Sequence, residues 1–447
     1  MKTIVVSSLH IFVSHFILGS PFWEMLKDEK GIRIVLLVPK GKKQFFQEHF
    51  GGERVIVREV AKRGGRFLSL LSDFGISALR TRSVAIRKKR GAIGWVYKYS
   101  PKLFFFAPLL KSVYPWLYAT LTFGEIYKDI FEEYKPDLIF SADLFSYLDT
   151  RLMLEARARK IPVVGMVRSW DNLTTKGVFR VVPDILVVSN EIEKGEAETF
   201  HGMPTEQIRV VGIPIYDRYV RFREKPPHSR GEFYTRIAAD PTKRIVLFSP
   251  MGDRFFDRNT FDRDVIEMLS ESIPSTHQLL VRFPPADSVN LEGIQPLQNV
   301  IYDRPGKQLS SDAAFFKKNE LTLDDDDHLI DTLHYSDVVV VISTTLAIDA
   351  AVFDKPMVVI GFDTLDRRVK GGSAADALEY NHIQPFLESG GVKVAENPEE
   401  VRSFIERYIK DPALDTGGRE RLRREQCFKI DGKSSERLIF VLKSMLK

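Results

Sequence analysis

The sequence predicts an α/β protein of two Rossmann-like domains, each on a parallel sheet, facing one another across a cleft. Three observations lead there. Short Val/Ile-rich runs recur without polar alternation, the pattern of strands covered on both faces. Helical stretches separate them, and Pro136 and Pro162 mark helix ends just before the next strand. The rhythm breaks after Pro214 and restarts at Ile245, and 447 residues suit two domains of roughly 200 each.

In the first half the expected strands are Thr3–Val6, Ile32–Val38, Val55–Val57, Asp137–Ser141, Val163–Val167 and Ile185–Val188, with helices at Glu125–Tyr134 and Ser146–Arg159. The polar, basic stretch Tyr216–Lys225 and the pair Pro226-Pro227 read as a linker. In the second half the strands are Ile245–Ser249, Gln278–Phe283, Val300–Tyr302, Val338–Ile342 and Met357–Ile360. Helices are expected at Thr260–Glu271, His328–Tyr335, Thr345–Phe353 and Pro398–Ile409. The resulting division is an acceptor domain over residues 1–220, a linker over 221–240, a donor domain over 241–425 and a closing helix over 426–447, which Ser434 or Ser435 is expected to cap.

Composition narrows the function classes. Hydrophobic residues make up 44% and charged residues 28%, which is globular. One cysteine, Cys427, excludes a disulfide framework and a thiolate metal cluster, and suits a cytoplasmic protein. The uncharged stretch Thr3–Trp23 is broken by Ser7, Ser8, His10, Ser14 and His15, so it does not read as a signal peptide, and Thr3–Val6 within it reads as a short buried first strand. Leu103–Gly124 is apolar and aromatic, but Lys111, Pro108 and Pro115 interrupt it, so an interfacial or core helix pair is expected rather than a spanning helix.

The net charge of +5 hides an excess: Lys40–Lys111 holds 17 Lys/Arg against 4 Asp/Glu. Arg80, Arg82, Arg87, Lys88, Lys89 and Arg90 are followed closely by Trp95, Tyr97, Tyr99, Phe104, Phe105, Phe106, Tyr114, Trp116 and Tyr118. Basic charge beside aromatic surface suits peripheral attachment to an anionic membrane, on its inner face. Nucleic acid is set aside, because no recognised binding motif accompanies the charge.

Ligands of such sheets bind beyond the carboxyl ends of the strands, so the candidate site residues are sought there. Val338–Ile342 runs into Ser343, Thr344 and Thr345 and a small-residue helix, a place for a phosphate, with Asp349 one turn on as an acceptor for ribose hydroxyls. Ser249, Gly252 and Arg254 follow the first strand of the second half, and Arg282 ends the next. There is no phosphate-binding loop of the G-x-x-x-x-G-K-[ST] kind. In the first half, His10 and His15 follow the first strand, and either could serve as a general base. Trp170, Asp171, Asn172 and Lys176 crowd one polar turn, with Asp171 as the second candidate base and its neighbours as acceptor contacts. Glu320 and Asp324–Asp327 resemble a metal site but read as a solvated loop and a helix start favouring acidic residues. No metal and no cofactor is expected.

Ser169–Gly177, Val211-Gly212-Ile213-Pro214, Ser343–Asp349 with Asp354-Lys355-Pro356, and Asp431–Arg437 together resemble bacterial surface-carbohydrate proteins of the GT-B type, near the CDP-glycerol glycerophosphotransferase and UDP-GlcNAc 2-epimerase superfamily. The resemblance implies a cytoplasmic enzyme building an envelope polysaccharide, with a nucleotide-sugar donor in the C-terminal domain and a glycan or lipid-linked acceptor. Phe283 stands where the polyol-phosphate transferases carry a histidine, and Ile342–Thr345 stands where the epimerases carry Asp-Ser-Gly-Gly. The paired glutamates of common retaining enzymes are missing from this loop. An inverting, metal-independent glycosyltransferase is therefore the leading expectation. A CDP-polyol phosphotransferase, an epimerase-like protein and a non-catalytic scaffold are the alternatives.

Overall fold

The computed structural model describes residues 1–61, 66–89, 107–122, 124–253, 260–309, 319–364 and 373–446. The first sheet is built from β1 (Lys2–Ser7), β2 (Ile32–Pro39), β3 (Val55–Val60), β4 (Leu138–Ser141), β5 (Val163–Met166), β6 (Ile185–Val188) and β7 (Ile208–Val210). Its order is β3-β2-β1-β4-β5-β6-β7, all parallel. The second is built from β8 (Arg244–Phe248), β9 (His277–Arg282), β10 (Val300–Asp303), β13 (Ser336–Val341), β14 (Met357–Ile360) and β15 (Val392–Ala395), in the order β10-β9-β8-β13-β14-β15, again all parallel. A small antiparallel pair, β11 (Lys307–Gln308) and β12 (Asn319–Glu320), projects from the second domain.

Each sheet therefore reverses its winding once, between β1 and β4 and between β8 and β13. At such a switch point the flanking loops part and leave a crevice. The Val/Ile runs are buried on both faces because helices cover both sides of each sheet. β7 and β15 were not among the expected strands. They lie at sheet edges, where Arg209 and Lys393 break the apolar run.

Two features tie the domains together. Within the expected linker, the helix Arg230–Arg236 has a capping box of Ser229 and Glu232, and Phe233, Tyr234 and Ile237 join the core of the second domain. The closing helix Ser434–Met445 crosses back: Leu438, Ile439, Val441 and Leu442 pack with Phe22 and Leu26 in the core of the first domain. Its cap differs from the expected one. Neither Ser434 nor Ser435 caps it; the buried Asp217 carboxylate accepts the amides of Ser434 at 3.0 Å and Ser435 at 2.7 Å. Gly212 passes beside this junction at φ +87°, and a Cβ there would meet Ser434 Oγ at 2.4 Å. Asp217→Ala strands two helix amides, so it is expected to cost about 1–3 kcal/mol. A lowered urea midpoint at unchanged slope would show it.

Candidate functional site

The first wall of the cleft lies at the carboxyl ends of β1, β4 and β5. Ser7 and Ser141 sit side by side in the register of β1 and β4, and both hydroxyls donate to the buried carboxylate of Asp149. Burial, and next the charge of Asp143, push Asp149 up to about 7. Asp143 itself lies two residues past the end of β4. Burial would raise it, but Arg168 and then His10 hold it below the usual carboxylate range. Arg168 Nε donates to Asp143 at 3.0 Å, and His10 Nδ1 accepts the Phe12 amide at 3.2 Å. His10, Asp143 and Arg168 thus meet at the switch point of the first sheet.

His15, one turn beyond His10, does not face the cleft as expected. It lies in a π-helical turn, Ser14–Leu18, is 5% exposed, and its Nδ1 is hydrogen-bonded to Asp326 of the second domain. Burial opposes its charge, but Asp326 outweighs burial and raises its pKa. Geometry makes it an interdomain ion pair rather than a solvent-facing base.

The loop after β5 also docks on the second domain. Trp170 packs edge-on against His382 and Phe386, with ring centroids 5.2 and 6.1 Å away, because its indole is the apolar end of an otherwise polar turn. Asn172 is 1% exposed, so it offers no surface to an acceptor in this arrangement. Asp171 accepts from Thr175 Oγ1 at 3.0 Å and lies 3.9 Å from the Lys176 ammonium. Burial pushes Asp171 up, yet Lys176 and His382 bring it down to about 2. A carboxylate so stabilised takes a proton poorly.

The second wall carries the expected donor residues. Ser249 ends β8 with its hydroxyl 3.4 Å from that of Thr344. Thr344 Oγ1 accepts the Leu346 amide at 3.1 Å and so starts the helix Leu346–Val352. Ser343 and Thr345 are half-buried beside it. Asp349 is 5% exposed and its Oδ1 has no hydrogen-bond partner. Burial raises it to about 6 against the pull of His15, Tyr216 and Arg282. Arg282 is paired with Asp303, which His328 Nε2 also contacts at 3.1 Å. Burial would raise Asp303, but Arg282 and His328 hold it well below the usual range.

Gly252 departs from expectation. Its amide and that of Met251 donate to the buried Asp262 carboxylate, at 2.8 and 3.0 Å, so an internal anion already occupies the turn expected to cradle a phosphate. Arg254 lies outside the described residues. The acidic run resolves into separate roles. Glu320 is buried against Lys42 at 2.7 Å, Asp325 forms a capping box with Thr322, and Asp326 meets His15. Among the described residues no group of His, Cys, Asp and Glu has a metal-binding arrangement.

Sequence reasoning missed Asp143, Arg168 and Asp262. For Asp143 and Arg168 the available signal was a charged residue within two positions of a buried strand's end. Between the two walls a pocket remains, with Arg168, Ser169 and Thr345 among its polar lining.

No protein-family model matches the sequence, and no curated protein matches it. Solved structures do. A UDP-GlcNAc 2-epimerase from Neisseria meningitidis bound to UDP-GlcNAc is 13% identical, aligns over 99% of this chain and 100% of its own, and has a TM-score of 0.59. A glycosyltransferase from Rickettsia africae is 11% identical over 100% and 99% of the two chains, with a TM-score of 0.50. A wall teichoic acid polymerase is 11% identical over 99% of this chain and 89% of its own, also at 0.50. At such identities the likeness establishes the fold: the chain has the two-domain GT-B-like architecture.

Proposed function

We propose that this chain is a metal-independent, inverting glycosyltransferase that takes its sugar from a nucleotide-activated donor. The observation that supports it most is the pairing of the two walls. A His10–Asp143–Arg168 trio ends the first sheet, and the hydroxyls of Ser249, Ser343, Thr344 and Thr345 with Arg282 end the second. The structural likeness extends to a UDP-GlcNAc 2-epimerase bound to UDP-GlcNAc, a glycosyltransferase and a wall teichoic acid polymerase.

In this reading the diphosphate lies against Ser343–Thr345; Asp349, 5% exposed, offers no surface to a ribose in this arrangement. The acceptor oxygen attacks the anomeric carbon from the face opposite the nucleotide. Its proton passes to Nδ1 of His10, which gives up the Phe12 amide as it does so, while the bond from the anomeric carbon to the phosphate oxygen breaks. Hydroxyl and amide donors and the Arg282 guanidinium take up the charge released on the diphosphate. The Asp143 carboxylate favours the imidazolium that forms on His10.

A thermal-shift panel of UDP, GDP, CDP and CMP tests the donor half of the proposal. Stabilisation by one of them identifies the base, because a ligand that binds only the folded state raises its stability by mass action. No response from any of the four would overturn the reading in favour of a non-catalytic scaffold. Thr344→Ala/Thr345→Ala is expected to weaken binding of that nucleotide by about 1–3 kcal/mol, the scale of hydrogen bonds to a charged group. Unchanged affinity in the folded double variant would remove the diphosphate from this loop.

Attachment to an anionic membrane is proposed through the first domain. The helix Ala107–Leu121 buries Tyr114 and Tyr118 and exposes Val113, Trp116 and Leu121. The helix Arg82–Lys89 ends in Arg87, Lys88 and Lys89. Arg90, Trp95, Tyr97, Tyr99 and Phe104–Phe106 lie outside the described residues. Among the described residues no helix is long and apolar enough to cross a membrane. Sedimentation with anionic but not neutral liposomes, lost at high salt, is expected; no binding at low salt would remove the proposal.

A further inference from the structure

Three polar side chains meet in a core layer where apolar ones would pack as well. Ser7 ends β1 and Ser141 ends β4; the two are register partners, and neither is exposed to solvent. Asp149, 1% exposed, reaches both from the helix Tyr147–Ala158. Its Oδ1 accepts the Ser7 hydroxyl and, at 3.2 Å, that of Ser141. An alanine at each serine and a leucine at the aspartate would leave nothing polar to desolvate, and replacing a whole buried polar set in this way is often close to neutral. Stability alone therefore gives little reason for a carboxyl here.

The same groups govern how the chain leaves the sheet. Ser7 Oγ accepts the Ala142 amide at 3.3 Å, so the end of β1 holds the first residue past β4. The Ser146 hydroxyl caps the next helix by accepting the Asp149 amide at 3.4 Å, which closes the turn 142–146. Asp143 lies in that turn, and His10 lies three residues past Ser7. Charge links the layers as well. Burial first, and then Asp143, oppose ionisation of Asp149; Asp143, buried itself, stays ionised through Arg168 and then His10. The Tyr127 phenol also faces Asp149, with its hydroxyl donating to the Leu148 carbonyl. Arg151 and Glu155, on the same helix as Asp149, are bonded to Thr122 and to the amides of Ile126 and Tyr127.

We infer that Asp149 is a positioning residue of the first wall: gripped by the ends of β1 and β4, its carboxyl fixes where Asp143 and His10 stand and, through Asp143, how readily His10 takes a proton. Asp149 itself touches no substrate, and its role rests on reading His10 as the base. The influence has a definite sign. When Asp149 loses its proton, a second negative charge is added beside Asp143, and an imidazolium at His10 is favoured.

Histidine Cε1–H resonances of the full chain, followed by NMR across pH, test this without any substrate; the His10 signal is the one missing from His10→Asn. In the native chain its titration is expected to show two steps, its own and that of Asp149, because interacting groups share their titration. Asp149→Asn keeps an oxygen for the two serine hydroxyls and removes the charge. Its His10 curve should collapse to one step, with a midpoint lower by about 0.5–1 pH unit, the effect of one charge acting through a buried site. Ser141→Ala keeps the carboxyl but removes a donor that favours its ionised form, so the second step should move to higher pH. Native and Asp149→Asn curves that superimpose overturn the inference. Should Asp149→Asn fail to fold, a His10 curve that Ser141→Ala leaves unmoved overturns it instead. Turnover is read separately. The acid limb of kcat/KM against pH should follow the His10 midpoint down in Asp149→Asn, whereas a merely structural role lowers turnover at every pH and leaves the limb in place. A His10 midpoint that moves while the limb stays put leaves the linkage of Asp149 to His10 standing and removes His10 as the base.

Discussion

Replacing His10 by Asn is expected to lower turnover by about 10²–10⁴-fold, the range that a positioned general base contributes. Asn is the informative substitution. The His10 ring caps the first helical turn by accepting the Phe12 amide through Nδ1, and an Asn side-chain oxygen replaces that acceptor. The fold and the nucleotide affinity should therefore survive while the titratable imidazole is lost. Turnover is measured as release of the nucleotide that the thermal-shift panel identifies. Asp143→Asn is expected to fall in the same direction, because it removes the carboxylate that favours the imidazolium and leaves Arg168 without its partner. Asp171→Asn separates the two candidate bases. Asp171 is held at about 2, so it stays ionised through the working range and takes up protons poorly. Near-native turnover for His10→Asn, together with a loss of 10²-fold or more for Asp171→Asn, would transfer the role to Asp171.

The sheet framework was legible because buried parallel strands announce themselves as continuous apolar runs. Val338–Ile342 is observed as Ser336–Val341, and Ile32–Val38 as Ile32–Pro39. What local pattern does not carry is strand order. Asp143 lies two residues past the expected strand Asp137–Ser141, and only the adjacency of β4 to β1 places it at a switch point beside His10. The same holds for contacts made at a distance. Gly252 reads as an open glycine turn until Asp262, ten residues on, is folded back against it. Trp170 and His15 read as cleft residues until the second domain arrives to pack on one and pair with the other. Ser343, Thr344, Thr345 and Arg282 were found at strand ends because their placement depends only on the strand that precedes them.

Lys42→Met is expected to lower the stability of the assembled two-domain chain by about 3–5 kcal/mol, the cost of leaving one member of a buried ion pair alone. Lys42 and Glu320 have side chains 2% exposed and lie 2.7 Å apart, one from each domain, and Ser14 Oγ donates to the same carboxylate at 3.0 Å. Burial already pushes Glu320 up; Lys42 and Ser14 are what oppose that push. Without the ammonium the carboxylate must take a proton or pull the domains apart to reach water. Lys42→Met/Glu320→Leu should recover most of the loss, because an apolar pair of similar volume has no charge to desolvate. The neighbouring His15–Asp326 pair adds a pH dependence of definite sign. Both pKa values are raised in the folded protein. The stability contributed by His15 is complete below its unfolded value of 6.5 and is lost as pH rises through its folded value; that of Asp326 is complete below 3.8 and likewise falls with rising pH. Urea midpoints followed from pH 6 upward should therefore decline in the native chain. His15→Gln should flatten that decline, while Lys42→Met should lower the whole curve without flattening it. If Lys42→Met left the midpoint within about 0.5 kcal/mol of native, the scale of ordinary surface substitutions, the pair would be no clasp between the domains.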